Sequence, residues 1–147
     1  METRAESRPD PLRPVFVLAA LVLLGLGLAK VAAPAPPGEA SRPELAPEET
    51  VRWQQRARVQ GVLEIRAGAA ALLLPGSAAG LVLATVGAGF LTWQFLETPE
   101  QGPCPYLAGL RSWIPGLARH EAEWRMTLAV WFFLTGVLRW RSARDLG

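Results

Sequence analysis

A glutamate set inside an apolar helix constrains this chain more than any other feature. Residues 59–76 read VQGVLEIRAGAAALLLPG, small and apolar as a membrane helix would be, yet carrying Glu64 and Arg66. A charge at the centre of such a helix costs about 2.5–3.5 kcal/mol on insertion scales, so it requires a partner or a hydrated niche. The fold must therefore bring a second polar group to the depth of Glu64.

The composition agrees with a membrane setting. Half of the 147 residues are hydrophobic and only 19% are charged. The apolar residues also fall in blocks too long for ordinary core helices. Residues 14–33, PVFVLAALVLLGLGLAKVAA, predict a first span of about 30 Å at 1.5 Å per residue. A cleaved leader ending at Ala33-Pro34-Ala35 is the rival reading, but Pro36 would follow the cut and Lys30 interrupts the approach to it. A second span is expected over 59–74, a third over 77–96 after the Pro75-Gly76 turn, and a fourth over 124–140 between two tryptophans. The expected fold is an all-α, polytopic four-helix bundle occupying residues 14–140, with polar tails at 1–13 and 141–147.

Two further short helices are expected at the membrane surface. From Pro47 the pattern turns helical, with Glu48 four residues before Arg52, and Trp53 suggests contact with headgroups before the second span begins. In residues 97–123, Tyr106, Leu107, Leu110, Trp113, Ile114 and Leu117 recur at helical spacing, which predicts an interfacial or partly re-entrant piece before the fourth span. Arginine placement orients the chain. Arg4, Arg8 and Arg13 precede the first span, and Arg139, Arg141 and Arg144 close or follow the last, so both termini are expected in the cytoplasm. Arg52, Arg56 and Arg58 fall on the other side and run against that rule.

In this topology Lys30 and Glu64 lie at similar depth in the outer leaflet. Phe16, Ala20, Leu23, Gly27 and Lys30 share one face of the first helix, and Gly61, Glu64, Gly68 and Ala71 share one face of the second. The two faces can meet, joining Lys30 to Glu64, while Arg66 is turned about 200° away, to snorkel outward or to close against a different helix. Gln94 reaches the same level late in the third helix and completes a polar cluster. The pair reads either as a packing device or as a proton or ligand site. Gly61 and Gly68 offer close approach on the second helix. Gly80, Ala84 and Ala88 do so on the third, which the short turn should pack antiparallel against the second.

Few residues carry other chemistry. Cys104 is the single cysteine, so no disulfide forms within the chain and no CxxC metal motif exists. It is a free thiol or the half of a mixed disulfide with a partner. His120 beside Glu121 and Glu123 reads as an interfacial residue rather than a metal ligand. No base is placed for a serine nucleophile. A basic stripe with interleaved aromatics is absent, which excludes a nucleic-acid surface.

Three motifs together resemble the DoxX/MauE-type membrane proteins. They are GLAKVAAP at 27–34, with Gly27 three residues before Lys30, VLEIRAGAAALLLPG at 62–76, and GPCPYLAGL at 102–110. The resemblance covers most of residues 14–140 and implies a four-helix protein of the bacterial inner membrane. It places Lys30, Glu64 and Cys104 at family positions. It also implies a role beside a redox partner: MauE is associated with maturation of methylamine dehydrogenase, and DoxX relatives with thiol- or quinone-linked complexes. This chain departs from the family's C-x-C loop, since Tyr106 stands where the second cysteine would be. Disulfide exchange needs two sulfurs, so no dithiol cycle closes within one chain.

The expected function is accordingly a non-catalytic accessory or assembly factor for an extracytoplasmic or membrane redox partner. A thiol or quinone-linked redox subunit working through Cys104 with a partner's cysteine is the alternative, and a small-solute or proton carrier built on Lys30 and Glu64 is the third. The residues themselves require no cofactor or metal; a quinone enters only through the resemblance. The expected partners are the bilayer and another protein.

Overall fold

The computed structural model describes residues 10–32, 47–96, 114, 116 and 120–145. Over these residues the protein is all-α, with four helices: α1 (Arg13–Ala32), α2 (Pro47–Leu73), α3 (Gly76–Leu96) and α4 (Glu121–Asp145). Two of them, α1 and α3, are long and apolar enough to cross a membrane.

The helix starts follow from local chemistry. The Asp10 Oδ1 accepts the Leu12 amide at 3.0 Å and its carbonyl accepts the Arg13 amide at 3.2 Å, so Asp10 closes the turn that leads into α1. Between α2 and α3 the turn is minimal. Pro75 ends one helix, while its carbonyl accepts the Ala79 amide at 2.9 Å and opens the next.

The structure revises the expectation of a separate interfacial helix before the second span. Residues 47–73 form one continuous helix, with no break between the segment from Pro47 and the apolar stretch from Val59. Pro47 is at its first position, Glu48 and Glu49 favour its N-terminus, and no proline or glycine intervenes before Gly61. The hydropathy changes near Val59, but helix propensity does not, so the helix continues through the change. Trp53 is buried rather than presented outward. It extends the stripe Ala57, Gly61, Glu64, Gly68 and Ala71 along the whole inner face. Likewise α4 runs three residues earlier and five later than the apolar stretch 124–140, through charged residues that are good helix formers. The interfacial helix expected in residues 97–123 lies outside the described residues, apart from Ile114, Gly116 and the start of α4.

The helices alternate in direction. Gly61 meets Gly27, Lys30 and Val31, whereas Gly68 meets Ala20 and Leu24, so α1 and α2 are antiparallel. Gly80 meets Gly136 and Trp140, and Gly87 meets Ala129 and Phe133, so α3 and α4 are antiparallel too. These two pairs make the extensive contacts, while α2–α3 and α1–α4 touch far less. The short turn does bring α2 and α3 into contact as expected, but theirs is the looser pairing. Connection length decides which helices are neighbours, but backbone approach is decided by where the small residues point. On α2 they face α1, and on α3 they face α4. A Cβ added at Gly27 would sit 2.6 Å from the Gly61 carbonyl oxygen, and one at Gly80 would sit 2.6 Å from the Trp140 nitrogen. The small face of α3 is also rotated slightly from the expected one. Gly80, Ala84 and Gly87 are buried, while Ala88 is only half-buried at its edge.

The core joins all four helices: Phe16, Ala19, Ala20, Leu23 and Leu26 from α1, Ala71 from α2, Ala79 and Leu83 from α3, and Phe132 from α4. Outside it, every helix also exposes large apolar side chains, among them Leu18, Leu63, Leu81, Phe95 and Leu134.

Candidate functional site

The site is an ion pair closed between α1 and α2. Lys30 lies in the last turn of α1 and Glu64 on the inner stripe of α2; they are 1% and 2% exposed. The Lys30 Nζ donates to Glu64 Oε1, joining residues 34 apart in sequence. The close approach of Gly27 and Gly61 makes this possible. A Cβ at Gly61 would already lie 3.0 Å from the Lys30 Cβ, so only glycine lets the lysine stem pass.

Two residues that the sequence reading did not name complete the surroundings. Gln60 Nε2 donates to the same Glu64 Oε1 at 3.0 Å, one helical turn earlier on α2. The Phe90 ring of α3 lies 5.9 Å from the Lys30 Nζ, in range for a cation–π contact. The four-residue spacing of Gln60 and Glu64 is a signal that was available. Phe90 left none, since an aromatic in an apolar block looks like any other core residue. Gln94, expected in this cluster, is half-buried one turn beyond Phe90 and is not among the groups hydrogen-bonded to the pair. The second carboxylate oxygen, Glu64 Oε2, is buried and has no hydrogen-bond partner among the described residues.

Arg66 behaves as the 200° rotation requires: it is exposed on the outward side of α2. Cys104 and Tyr106 lie outside the described residues. His120 Nδ1 lies 3.1 Å from Glu123 Oε2 on an exposed surface, one helical turn apart. Among the described residues no cluster of three or more His, Cys, Asp or Glu is placed to hold a metal ion.

A second polar knot ties the opposite end of the bundle. Arg139 of α4 pairs through Nη1 with Asp10 Oδ2, and its guanidinium lies 5.8 Å from the Phe16 ring and 3.3 Å from the Cβ position of Gly76. One arginine thus joins the start of α1, the end of α4 and the turn before α3. In the sequence Arg139 counts only toward orientation. Its pairing was hidden because Asp10 lies more than 120 residues away and reads as part of a polar tail. The lysine–glutamate pair therefore lies at the end of the bundle away from Asp10 and Arg139.

Chemically, the site fixes α1 against α2 by a buried, hydrogen-bonded charge pair and leaves one carboxylate oxygen without a donor. Comparisons with protein-family models, with curated proteins and with solved structures find no match for the chain. Its class is thus an all-α four-helix protein, defined by its own geometry.

Proposed function

We propose that the chain is a four-span integral membrane protein with both termini in the cytoplasm. In this reading it resembles the DoxX/MauE type of the bacterial inner membrane and serves as a non-catalytic accessory factor for an extracytoplasmic or membrane redox partner. Membrane placement is supported by the two apolar helices and by large apolar side chains exposed on all four. Orientation is supported by Arg13, Arg139, Arg141 and Arg144, which gather at the end of the bundle marked by Asp10.

The observation that carries the non-catalytic part is the closure of the site. The Lys30 ammonium is committed to Glu64 and stands by the Phe90 ring, with both charges almost wholly out of reach of solvent. Such a pair sets how two helices fit rather than offering groups to a substrate. The test is co-purification from host membranes with the wild type and with Cys104→Ser. The same partner should be recovered at the same yield in both. Recovery that depends on a reducible bond through Cys104 would replace this reading with the thiol-redox one.

A second reading has one observation in its favour, the buried and unpartnered Glu64 Oε2. An acceptor in that position suits a proton or a small hydrogen-bond donor, as in a carrier. Uptake into vesicles would then depend on pH and would be lost in Glu64→Gln; unchanged uptake removes the reading.

A further inference from the structure

Among the described residues, no carboxylate pairs with Arg66. Gly61 packs at the level of Gly27 to Val31 and Gly68 at that of Ala20 to Leu24, so Arg66 falls between them, near Leu24 to Gly27. That is about 10 Å in from the Ala32 end of α1 at 1.5 Å per residue. Its neighbours on the outward side of α2 are apolar: Val59, Val62, Leu63 and Leu73 are all exposed. A guanidinium thus stands alone in an apolar helix face, on the membrane reading proposed above, at a depth where lipid tails supply no acceptor.

Three occupants can be weighed for this face. A second copy of the chain fails on charge. Within the described helices α1 and α3 carry no Asp or Glu at all, and those of α4 lie in its first three residues and at its last. The one carboxylate at this depth, Glu64, is buried against Lys30. A two-fold axis along the membrane normal would also set Arg66 opposite its own mate. Lipid phosphate is reached only if the side chain snorkels toward the surface, which turns the guanidinium away from Val62 and Leu63 beside it. A carboxylate at the same depth matches the planar, five-donor fork of arginine directly.

We propose that the outward face of α2 docks a transmembrane helix of a different protein, one that carries an Asp or Glu level with Arg66. Val59, Val62 and Leu63 pack around the resulting ion pair. This deepens the accessory reading and rests on its membrane placement, naming the chemistry of the partner rather than adding a second activity.

The test uses the full chain reconstituted in phosphatidylcholine vesicles, with a fluorescent leucine-rich transmembrane peptide as probe. The peptide carries a single Glu at the depth of Arg66, or Gln or Leu in its place, and association is read by energy transfer. The Glu peptide should associate at least tenfold more tightly than the other two. Arg66→Leu should erase that preference, and Arg66→Glu should transfer it to a Lys-bearing peptide. Equal association of the three peptides with the inserted wild-type chain would overturn the proposal. So would a preference that anionic lipid abolishes, or one that survives Arg66→Leu. Protease protection, measured first on the same vesicles, separates the two readings: a chain that fails to insert overturns the membrane placement itself, and the docking proposal with it.

Discussion

Replacing Glu64 by leucine should be among the most damaging single changes available to this protein. Lys30 and Glu64 are 1% and 2% exposed, so neither water nor ions screen their attraction. Removing one member leaves the other charge buried without its counter-ion, which costs about 3–5 kcal/mol in comparable sites. At 1.36 kcal/mol per decade this is a shift of at least about 150-fold in the unfolding equilibrium. The size alone would not identify the cause, because any large core change is destabilising. The double variant Lys30→Met, Glu64→Leu provides the control. It keeps similar volume and removes both charges, so it should fall within about 1 kcal/mol of the wild type or exceed it. Dodecyl-sulfate-driven unfolding in mixed micelles, followed by the fluorescence of the six tryptophans, measures the wild type, the two single variants Glu64→Leu and Lys30→Met, and the double variant. Gln60→Ala, which removes one hydrogen bond to the same oxygen, should cost less, about 1–2 kcal/mol. The reasoning fails if Glu64→Leu unfolds like the wild type, or if the double variant loses as much as the sum of the singles. In either case the pair would not be coupled.

Other parts of the structure yield equally definite expectations. Gly27→Ala should lose about 1–3 kcal/mol in the same unfolding assay, since its Cβ would lie 2.6 Å from the Gly61 carbonyl oxygen, whereas Gly25→Ala, with nothing within 4 Å, should be neutral or gain up to about 1 kcal/mol. Asp10→Asn keeps the side-chain bond to the Leu12 amide but loses the charge that faces Arg139, and should cost about 1–2 kcal/mol in the same assay; Asp10→Ala loses that bond as well and should cost about 1 kcal/mol more. Equal losses in the two Asp10 variants would show that the bond to Leu12 contributes nothing.

Which of these features can be read from the sequence depends on how much each residue contrasts with its surroundings. Lys30 and Glu64 are charges in apolar runs, and helix periodicity with depth counting places them together. Arg66 is turned away by the same arithmetic. Glycines are legible as small surfaces but not as to their partner. Gly80 and Ala84 could be named, while Gly136, their counterpart on α4, sits in an apolar block that gives no reason to single it out. In α2, hydropathy and helicity are separate signals, and only the first changes at Val59. From Pro47 to Val59 the chain is polar and still helical, and the burial of Trp53 shows that its inner face begins there. The Asp10–Arg139 knot depends on bringing the two ends of the chain together, and no local pattern reports that.

The pairing of the helices has a consequence for how such a chain is made. Each tight pair contains one helix apolar enough to cross a membrane, and in each pair that helix is synthesised first: α1 before α2, α3 before α4. In the membrane arrangement proposed here, the less apolar member never has to enter the bilayer alone. When Glu64 leaves the ribosome, Lys30 has already been delivered, and the lysine-bearing helix serves as its escort. Gly80 and Gly87 likewise stand ready on α3 before Gly136 and Phe133 arrive. The order of the elements along the chain is then an order of insertion, two hairpins in succession, and the short turn at Pro75 marks where the first is complete.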